Sequence, residues 1–474
     1  MSERRLLGGA AAMSIAGIVR VGLQTLSLPI LARILGPHEY GLVALAMPIV
    51  ILSMILCDGG LPAPLMRRVE DDERVWATAH WTICASGAVL ALLVAIAAWP
   101  LAWLCDQPDL APVVMALAFT LVLQGFGAVP AARLQKAQDF RSLSLVEIGA
   151  TLGGVAATFA FALHGAGAWS LVAQQLAYWL LRIASVTILS RWRPLRQYDF
   201  HLIAPDLAFG WSVLKVSLVN FATRSLDVVL LGMVRDSAQV GLYAMALQVA
   251  RLPANVILGP FQGVFLSHLV RIKDSPEQVA AMLVKVSAVM AALVVPSTAC
   301  AALIAPDIFA VMLSEKWRAA GIIYAALVPG AAIQAVVFLV MPCLVALGRP
   351  DRQLRQTVRL TGLWLAFATL GAMGGAIGIA TGIGCAYLIG GPWMILSVRD
   401  VVPVPLRAYL GVIAQSLLAA TVAMAALAAF RQISGVTGIA LVAAGAVCAG
   451  TGVVLALALN RSILGVRRSL PIAA

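Results

Sequence analysis

The feature that most limits what this chain can fold into is the repeated return of apolar runs of about 20 residues or more, each long enough to cross ~30 Å of hydrocarbon as a helix. Fourteen are expected, near residues 7–35, 39–60, 75–104, 110–134, 143–163, 168–189, 207–234, 240–269, 279–304, 319–347, 354–373, 376–398, 406–430 and 436–459. The runs are continuously apolar and too long for tilted strands of ~10 residues with alternating polarity, so an all-α integral membrane protein is expected rather than a barrel. Pro29, Pro48, Pro130 and Pro296 lie inside runs, where membrane helices tolerate them. Charged residues make up only 11% of the chain, too few to cover a water-facing exterior that normally carries ~25%. The start, MSERRLLGGAAAMSIAG, has the charged head and apolar body of a signal peptide. Because the apolar character resumes after Arg20 and continues to Leu35, an uncleaved first span is expected.

A net charge of +12 raises the question of a nucleic-acid partner. The basic residues sit in short connections with no continuous stripe or recognition motif, so none is expected. They read instead as topology signals, since retained loops carry Lys and Arg and translocated loops do not. With a cytoplasmic N-terminus, 22 of the 33 Lys and Arg fall on the cytoplasmic side and five on the other. Both termini are then cytoplasmic and the span count is even, as expected for a multi-pass protein of a bacterial inner membrane. Arg349, Arg352, Arg355 and Arg359 are counted here among the loop charges. The seven cysteines lie mostly inside apolar runs with no CxxC spacing and no neighbouring His, so no metal site is expected.

The stretch Gly41-Leu42-Val43-Ala44-Leu45-Ala46 returns as Gly241-Leu242-Tyr243-Ala244-Met245-Ala246, displaced by 200 residues. The same offset pairs the first span with the seventh and the second with the eighth, which implies a duplicated unit of six helices. Six is even, so the two units share a membrane orientation and relate by a pseudo-two-fold along the membrane normal. The expected organisation is a six-helix lobe over residues 1–200, a second over 201–400, and two further helices with a short cytoplasmic tail over 401–474.

Ionisable groups inside spans are costly and usually face a cavity or a partner. Lys215, Lys285 and Arg182 lie toward span ends, where long stems carry the charge to the interface. Arg20, Arg224 and Arg251 lie deeper. Arg20, Gln24 and Ser27 share one helical face, Asn220, Arg224 and Asp227 share the corresponding face 200 residues on, and Gln248, Arg251 and Asn255 form a third stripe. Two readings stand: the stripes converge on a polar central cavity that binds substrate, or Arg224 and Asp227 form a local ion pair that joins helices. Asp58 and Glu147 are weaker candidates, for ion coupling. A cavity rich in Arg, Gln and Asn suits an anion, because guanidinium groups pair with phosphate oxygens in forked geometry. The five histidines are scattered, and neither GxSxG nor a phosphate loop is present. Neither enzymatic activity nor a cofactor is expected.

The chain resembles the polysaccharide biosynthesis or lipopolysaccharide exporter branch of the multidrug/oligosaccharidyl-lipid/polysaccharide flippase superfamily. The resemblance is carried by Leu31 to Leu42 (LARILGPHEYGL), by Asp58-Gly59-Gly60, and by Leu226-Asp227 followed by Gly241-Leu242-Tyr243. Glu315-Lys316-Trp317 and Ala346-Leu347-Gly348-Arg349-Pro350-Asp351 carry it further. It implies two six-helix lobes around a central cavity, two extra C-terminal helices, and alternating access without covalent chemistry. The implied cargo is a polyprenyl-diphosphate-linked oligosaccharide, with membrane lipids and other polysaccharide assembly proteins as partners. Rival readings are a multidrug or cation antiporter of the same superfamily, a polymerase or ligase, and a scaffold of a polysaccharide assembly system.

Overall fold

The computed structural model describes residues 3–68, 71–253, 265, 266, 268, 269 and 271–464, and among them it contains helices and connections but no strand. Eleven helical stretches are long and apolar enough to cross a membrane, and the protein is an all-α, multi-pass membrane protein. The three further expected spans correspond to two helices interrupted by charge and to a third that is short because its expected span runs on beyond the described residues. The two are α8 (Ala204–Gly232), with Asp206, Lys215, Arg224 and Asp227, and α14 (Pro350–Ala372), with Arg352, Arg355 and Arg359; the third is α9 (Ser237–Pro253), with Arg251. In α8 and α14 the charges lower the mean hydropathy.

The chain packs as two compact units, Met1–Gly241 and Leu242–Ala474. In the first lie α1 (Glu3–Ile34), α2 (Pro37–Asp58), α3 (Pro62–Arg67), α4 (Glu73–Leu104), α5 (Leu110–Lys136), α6 (Phe140–Leu163), α7 (Trp169–Ser190) and α8. The helix starts are written locally: Pro37 opens α2, where no N–H is needed, Asp72 accepts from the Arg74 N–H at 2.8 Å, and Asp139 accepts from the Ser142 N–H at 3.1 Å. At the far end of α2, Gly59 (φ 54°) and Gly60 (φ 71°) turn the chain in a conformation that favours glycine. Gly60 also lies against the Gly210 backbone, with no room for a side chain.

Within this unit α4 pairs with α5, α6 with α7, α2 with α5 and α8, and α1 lies on α6. The connection 191–203 is docked rather than free. Trp192 Nε1 donates to Glu73 (2.6 Å), Trp81 Nε1 to the Leu195 carbonyl (2.8 Å), and the Asp199 N–H to Thr78 Oγ1 (3.2 Å). Trp192 and Ile203 are buried against Leu61, Leu65 and Trp76. Arg68 Nη2 donates to the Leu202 carbonyl (2.7 Å) and stands 2.8 Å from Asp206 Oδ2, a contact of charge more than an aligned hydrogen bond.

The 200-residue offset reappears as a contact inside this unit. A Cβ on Gly41 would land on the Ser237 carbonyl oxygen, and one on Gly241 would land on that of Pro37. Residue 41 against 237 and 241 against 37 are one contact written twice with the offset. Glycine at both positions is what permits the approach.

The second unit holds α10 (Pro276–Leu303), α11 (Ala305–Met312), α12 (Arg318–Val337), α13 (Val340–Ala346), α14, α15 (Gly375–Val398), α16 (Leu406–Ser434), α17 (Ile439–Leu459) and α18 (Arg461–Leu464). Its core centres on α10, where Ser287 Oγ donates to the Val336 carbonyl (2.8 Å) and meets Tyr409 Oη at 3.0 Å, joining α10, α12 and α16. Glu315-Lys316-Trp317 forms a short 3-10 turn with Trp317 fully buried. Beside it Asp307 accepts Arg318 at 2.9 Å and Arg431 at 3.4 Å, so this landmark belongs to a brace between α11, α12 and α16. Gly348 (φ 73°) makes the turn between α13 and α14 at the second landmark.

Candidate functional site

Each unit contributes its own polar groups. In the first, α6 and α7 present the best-organised cluster. Glu147 Oε1 accepts from Arg182 Nε at 3.0 Å and its Oε2 accepts from Tyr178 Oη at 2.8 Å, while the Arg182 guanidinium lies 5.2 Å from the Trp179 ring centre. Arg182 is therefore held by an acid on the neighbouring helix, where the sequence suggested a stem reaching for the interface. The i, i+4 spacing puts Tyr178 and Arg182 on one face of α7, but it does not name the acid on α6 that they meet together.

Asp58 ends α2, and its Oδ1 is buried with no hydrogen-bond partner among the described residues. The same holds for Oε1 of the buried Gln124, whose Nε2 donates to the Met54 carbonyl at 3.2 Å. One oxygen of Asp58 thus lacks a donor even though Gln124 of α5 hydrogen-bonds the carboxyl, whereas both oxygens of Glu147 are engaged.

Arg20 and Gln24 are exposed on α1, as the shared-face reading requires, whereas Ser27 is buried and donates to the Gln24 carbonyl (3.0 Å). On α8, Asn220 and Arg224 are exposed, while Asp227 is fully buried and accepts from the Val228 N–H at 2.9 Å. The stripe thus divides by burial: Asn220 and Arg224 are presented outward, and Asp227 is turned into protein. In the second unit, Gln248 and Arg251 are half-buried one helical turn apart on α9, and Asn255 lies outside the described residues. Arg352, Arg355 and Arg359, read from sequence as loop charges, belong to α14, with the last nine residues beyond its start.

These features can be set beside known proteins. Over 387 residues the chain is 24% identical to "Lipopolysaccharide biosynthesis protein WzxC" of Escherichia coli (strain K12), covering 80% of this chain and 78% of the relative. Over 244 residues it is 29% identical to "Succinoglycan biosynthesis transport protein ExoT" of Rhizobium meliloti (strain 1021), covering 51% of this chain and about half of that one (49%). Among solved structures, the fold matches "Lipid II flippase MurJ, inward closed conformation" with a TM-score of 0.74 at 12% identity, covering 97% of this chain and 100% of that one. An inward-facing multidrug resistance transporter of the MATE family matches with a TM-score of 0.57 at 16% identity, over 81% of this chain and 98% of that one. The model of the family described as "Polysaccharide biosynthesis protein" matches residues 30–322, more than half of the sequence, and the chain belongs to that family.

Proposed function

We propose that the protein is a flippase that carries a polyprenyl-diphosphate-linked oligosaccharide, or a related polysaccharide precursor, from the cytoplasmic to the periplasmic leaflet of a bacterial inner membrane by alternating access. The family match over residues 30–322 carries this reading. The names of the relatives support it, since they are a lipopolysaccharide biosynthesis protein and a succinoglycan transport protein. Exposed Arg20, Gln24, Asn220 and Arg224 of the first unit, with Gln248 and Arg251 of the second, are the proposed contacts for the anionic headgroup and its sugars. Guanidinium groups suit phosphate, and the amides suit sugar hydroxyls.

Asp58 is the better of the two proposed ion-coupling acids, because Glu147 is already neutralised by Arg182 and hydrogen-bonded by Tyr178. An inside-negative potential favours outward movement of an anion by about 2.3 kcal/mol per charge per 100 mV, which supplies a driving force without nucleotide hydrolysis. The basic-loop asymmetry supports cytoplasmic termini, and it is checked by reporter fusions, expected cytoplasmic at Arg196 and periplasmic at Gly165. The test of function is deletion in the native cell followed by sided lipid analysis. Full-length lipid-linked glycan should accumulate on the cytoplasmic leaflet. Accumulation of unfinished glycan, or of finished glycan already on the periplasmic leaflet, would place the chain's role in synthesis or polymerisation instead.

A further inference from the structure

On α14 the helical period sets Arg352, Arg355 and Arg359 on one stripe, spaced i, i+3, i+7. The residues this helix buries are Trp364, Ala368 and Ala372. At about 100° per residue, Arg355 stands opposite Trp364 and Arg359 opposite Ala368, with Arg352 beside Arg359, so the stripe points away from the packed face. Arg355 and Arg359 are exposed, and among the described residues neither has a hydrogen bond, ion pair or ring contact, while Arg352 comes only within 4.0 Å of Asp400.

The depth of the stripe follows from the hairpin it belongs to. A Cβ on Gly378 would meet the Gly371 carbonyl, one on Gly382 that of Phe367, and one on Gly390 the Leu360 side chain. The two helices therefore run antiparallel, with residue 360 beside 390, and Arg359 and Arg355 lie about level with Gly391 and Ile395. Those positions are inside the membrane-crossing stretch Gly375–Val398. Beyond Arg359, the apolar part of α14 provides about 20 Å of rise, short of the ~30 Å of hydrocarbon. Arg352, near the helix start, is placed to snorkel. Arg359 is two turns deeper, where an uncompensated cation is costly.

We propose that Arg355 and Arg359 form a binding site for a lipid-borne diphosphate, with Arg352 at its mouth. The inference rests on the flippase reading and names a cargo contact for it. Each phosphoryl group of a sugar-linked diphosphate carries one negative charge, so two guanidinium groups neutralise it and donate in forked pairs. Residues four apart are offset by about 6 Å along the axis, which lets the two groups straddle adjacent phosphoryls. An ordinary phosphodiester phospholipid offers only one such charge.

The test uses the purified full-length protein in detergent, titrated with polyprenyl diphosphate, polyprenyl monophosphate and phosphatidylglycerol. The wild type should prefer the diphosphate, and R355Q/R359Q should lower its affinity by about tenfold or more, the loss expected for charge-assisted hydrogen bonds. R355K/R359K should recover part of it, and R407Q, an exposed cation away from the stripe, should change nothing. Unchanged diphosphate affinity in R355Q/R359Q overturns the proposal. An equal loss for phosphatidylglycerol overturns it too, because the stripe would then be a general anionic-lipid contact. If the Gln pair fails to fold, the Lys pair decides, since it keeps the charge and loses the fork: a severalfold weaker diphosphate affinity supports the site and an unchanged one removes it. In proteoliposomes the two readings separate. Binding that depends on α14 without any transfer would defeat the flippase reading alone, whereas undiminished transfer by R355Q/R359Q would defeat the α14 site alone.

Discussion

The α6–α7 hairpin of the first unit and the α14–α15 hairpin of the second hold corresponding places in a chain read as a duplicated six-helix unit, and they treat charge in opposite ways. Glu147 lies in the first half of α6, and α7 answers it with Arg182 and Tyr178. Arg355 and Arg359 lie in the first half of α14, and α15 contains no Asp or Glu with which to answer them. The rim of the first unit repeats its pattern. Arg133 pairs with Glu73 at 2.7 Å while lying over the Trp76 and Trp192 rings, and Lys136 pairs with Asp71 at 3.0 Å. Charges that neutralise one another inside a unit hold helices together. Charges left over on an exposed face are available to something that arrives from outside.

The largest expected effect lies on the cohesive side. Glu147→Ala leaves Arg182 mostly buried without its acid, and loss of one partner from such a pair typically costs 3–5 kcal/mol; with both side chains still about one-fifth exposed, about 2–3 kcal/mol is expected here. The measurement is thermal unfolding in detergent. Glu147→Ala/Arg182→Leu should regain much of the loss, because no uncompensated charge remains. The same measurement on Arg359→Ala should show no loss, since the change removes a cation that has no partner and is costly where it stands. Similar destabilisation by Glu147→Ala and Arg359→Ala would erase the contrast between the hairpins.

A smaller effect comes from making the second hairpin resemble the first. Gln356 lies one turn from both Arg352 and Arg359, and its Oε1 is buried without a partner. Gln356→Glu places an acid within the stripe, beyond Asp351 in the first turn, and i, i+3 and i, i+4 pairs form readily on one helix. Diphosphate affinity should fall severalfold while the melting temperature holds. An affinity that stays at the wild-type value would mean that the stripe's charge is not what attracts the ligand.

Much of this arrangement was legible in the sequence, because hydrocarbon imposes its length on every helix that crosses it. The six matching residues that suggest a repeat include two glycines whose place the structure explains: Gly41 and Gly241 sit where two backbones meet too closely for a side chain. The pairing of Glu147 with Arg182 was not legible, since two residues 35 apart in sequence meet only once α6 and α7 pack. Arg352, Arg355 and Arg359 were misplaced for a related reason. Charge counting assigns basic residues to loops, so Arg355 and Arg359 are tallied with the loop although they lie inside the expected span 354–373, and the helix begins only four residues earlier, at Pro350. The docked connection 191–203 carried no periodic signal, being held by individual contacts from Trp81, Trp192 and Arg68 rather than by a repeating pattern.

The smallest expected effect is at the rim of the first unit, and it asks whether neutralised charge matters once water is present. Asp71 accepts from Lys136 Nζ at 3.0 Å and from Trp76 Nε1 at 2.7 Å, and these bonds hold its carboxyl below the usual carboxylate range. A carboxyl lowered in the folded state stabilises the protein above its unfolded value of ~4, and that contribution fades as pH falls through the lowered folded value. The Asp71 side chain is 56% exposed, so solvent screens the pair and its worth falls to about 0.5 kcal/mol or less. Asp71→Asn should therefore melt slightly below the wild type at pH 7, and the two curves should converge as the buffer is taken toward pH 3. A deficit that grows on acidification would have the wrong sign for a lowered carboxyl. A deficit at pH 7 as large as that of Glu147→Ala would show that exposed and buried pairs contribute alike, and the distinction between the two hairpins could no longer rest on where their charges are buried.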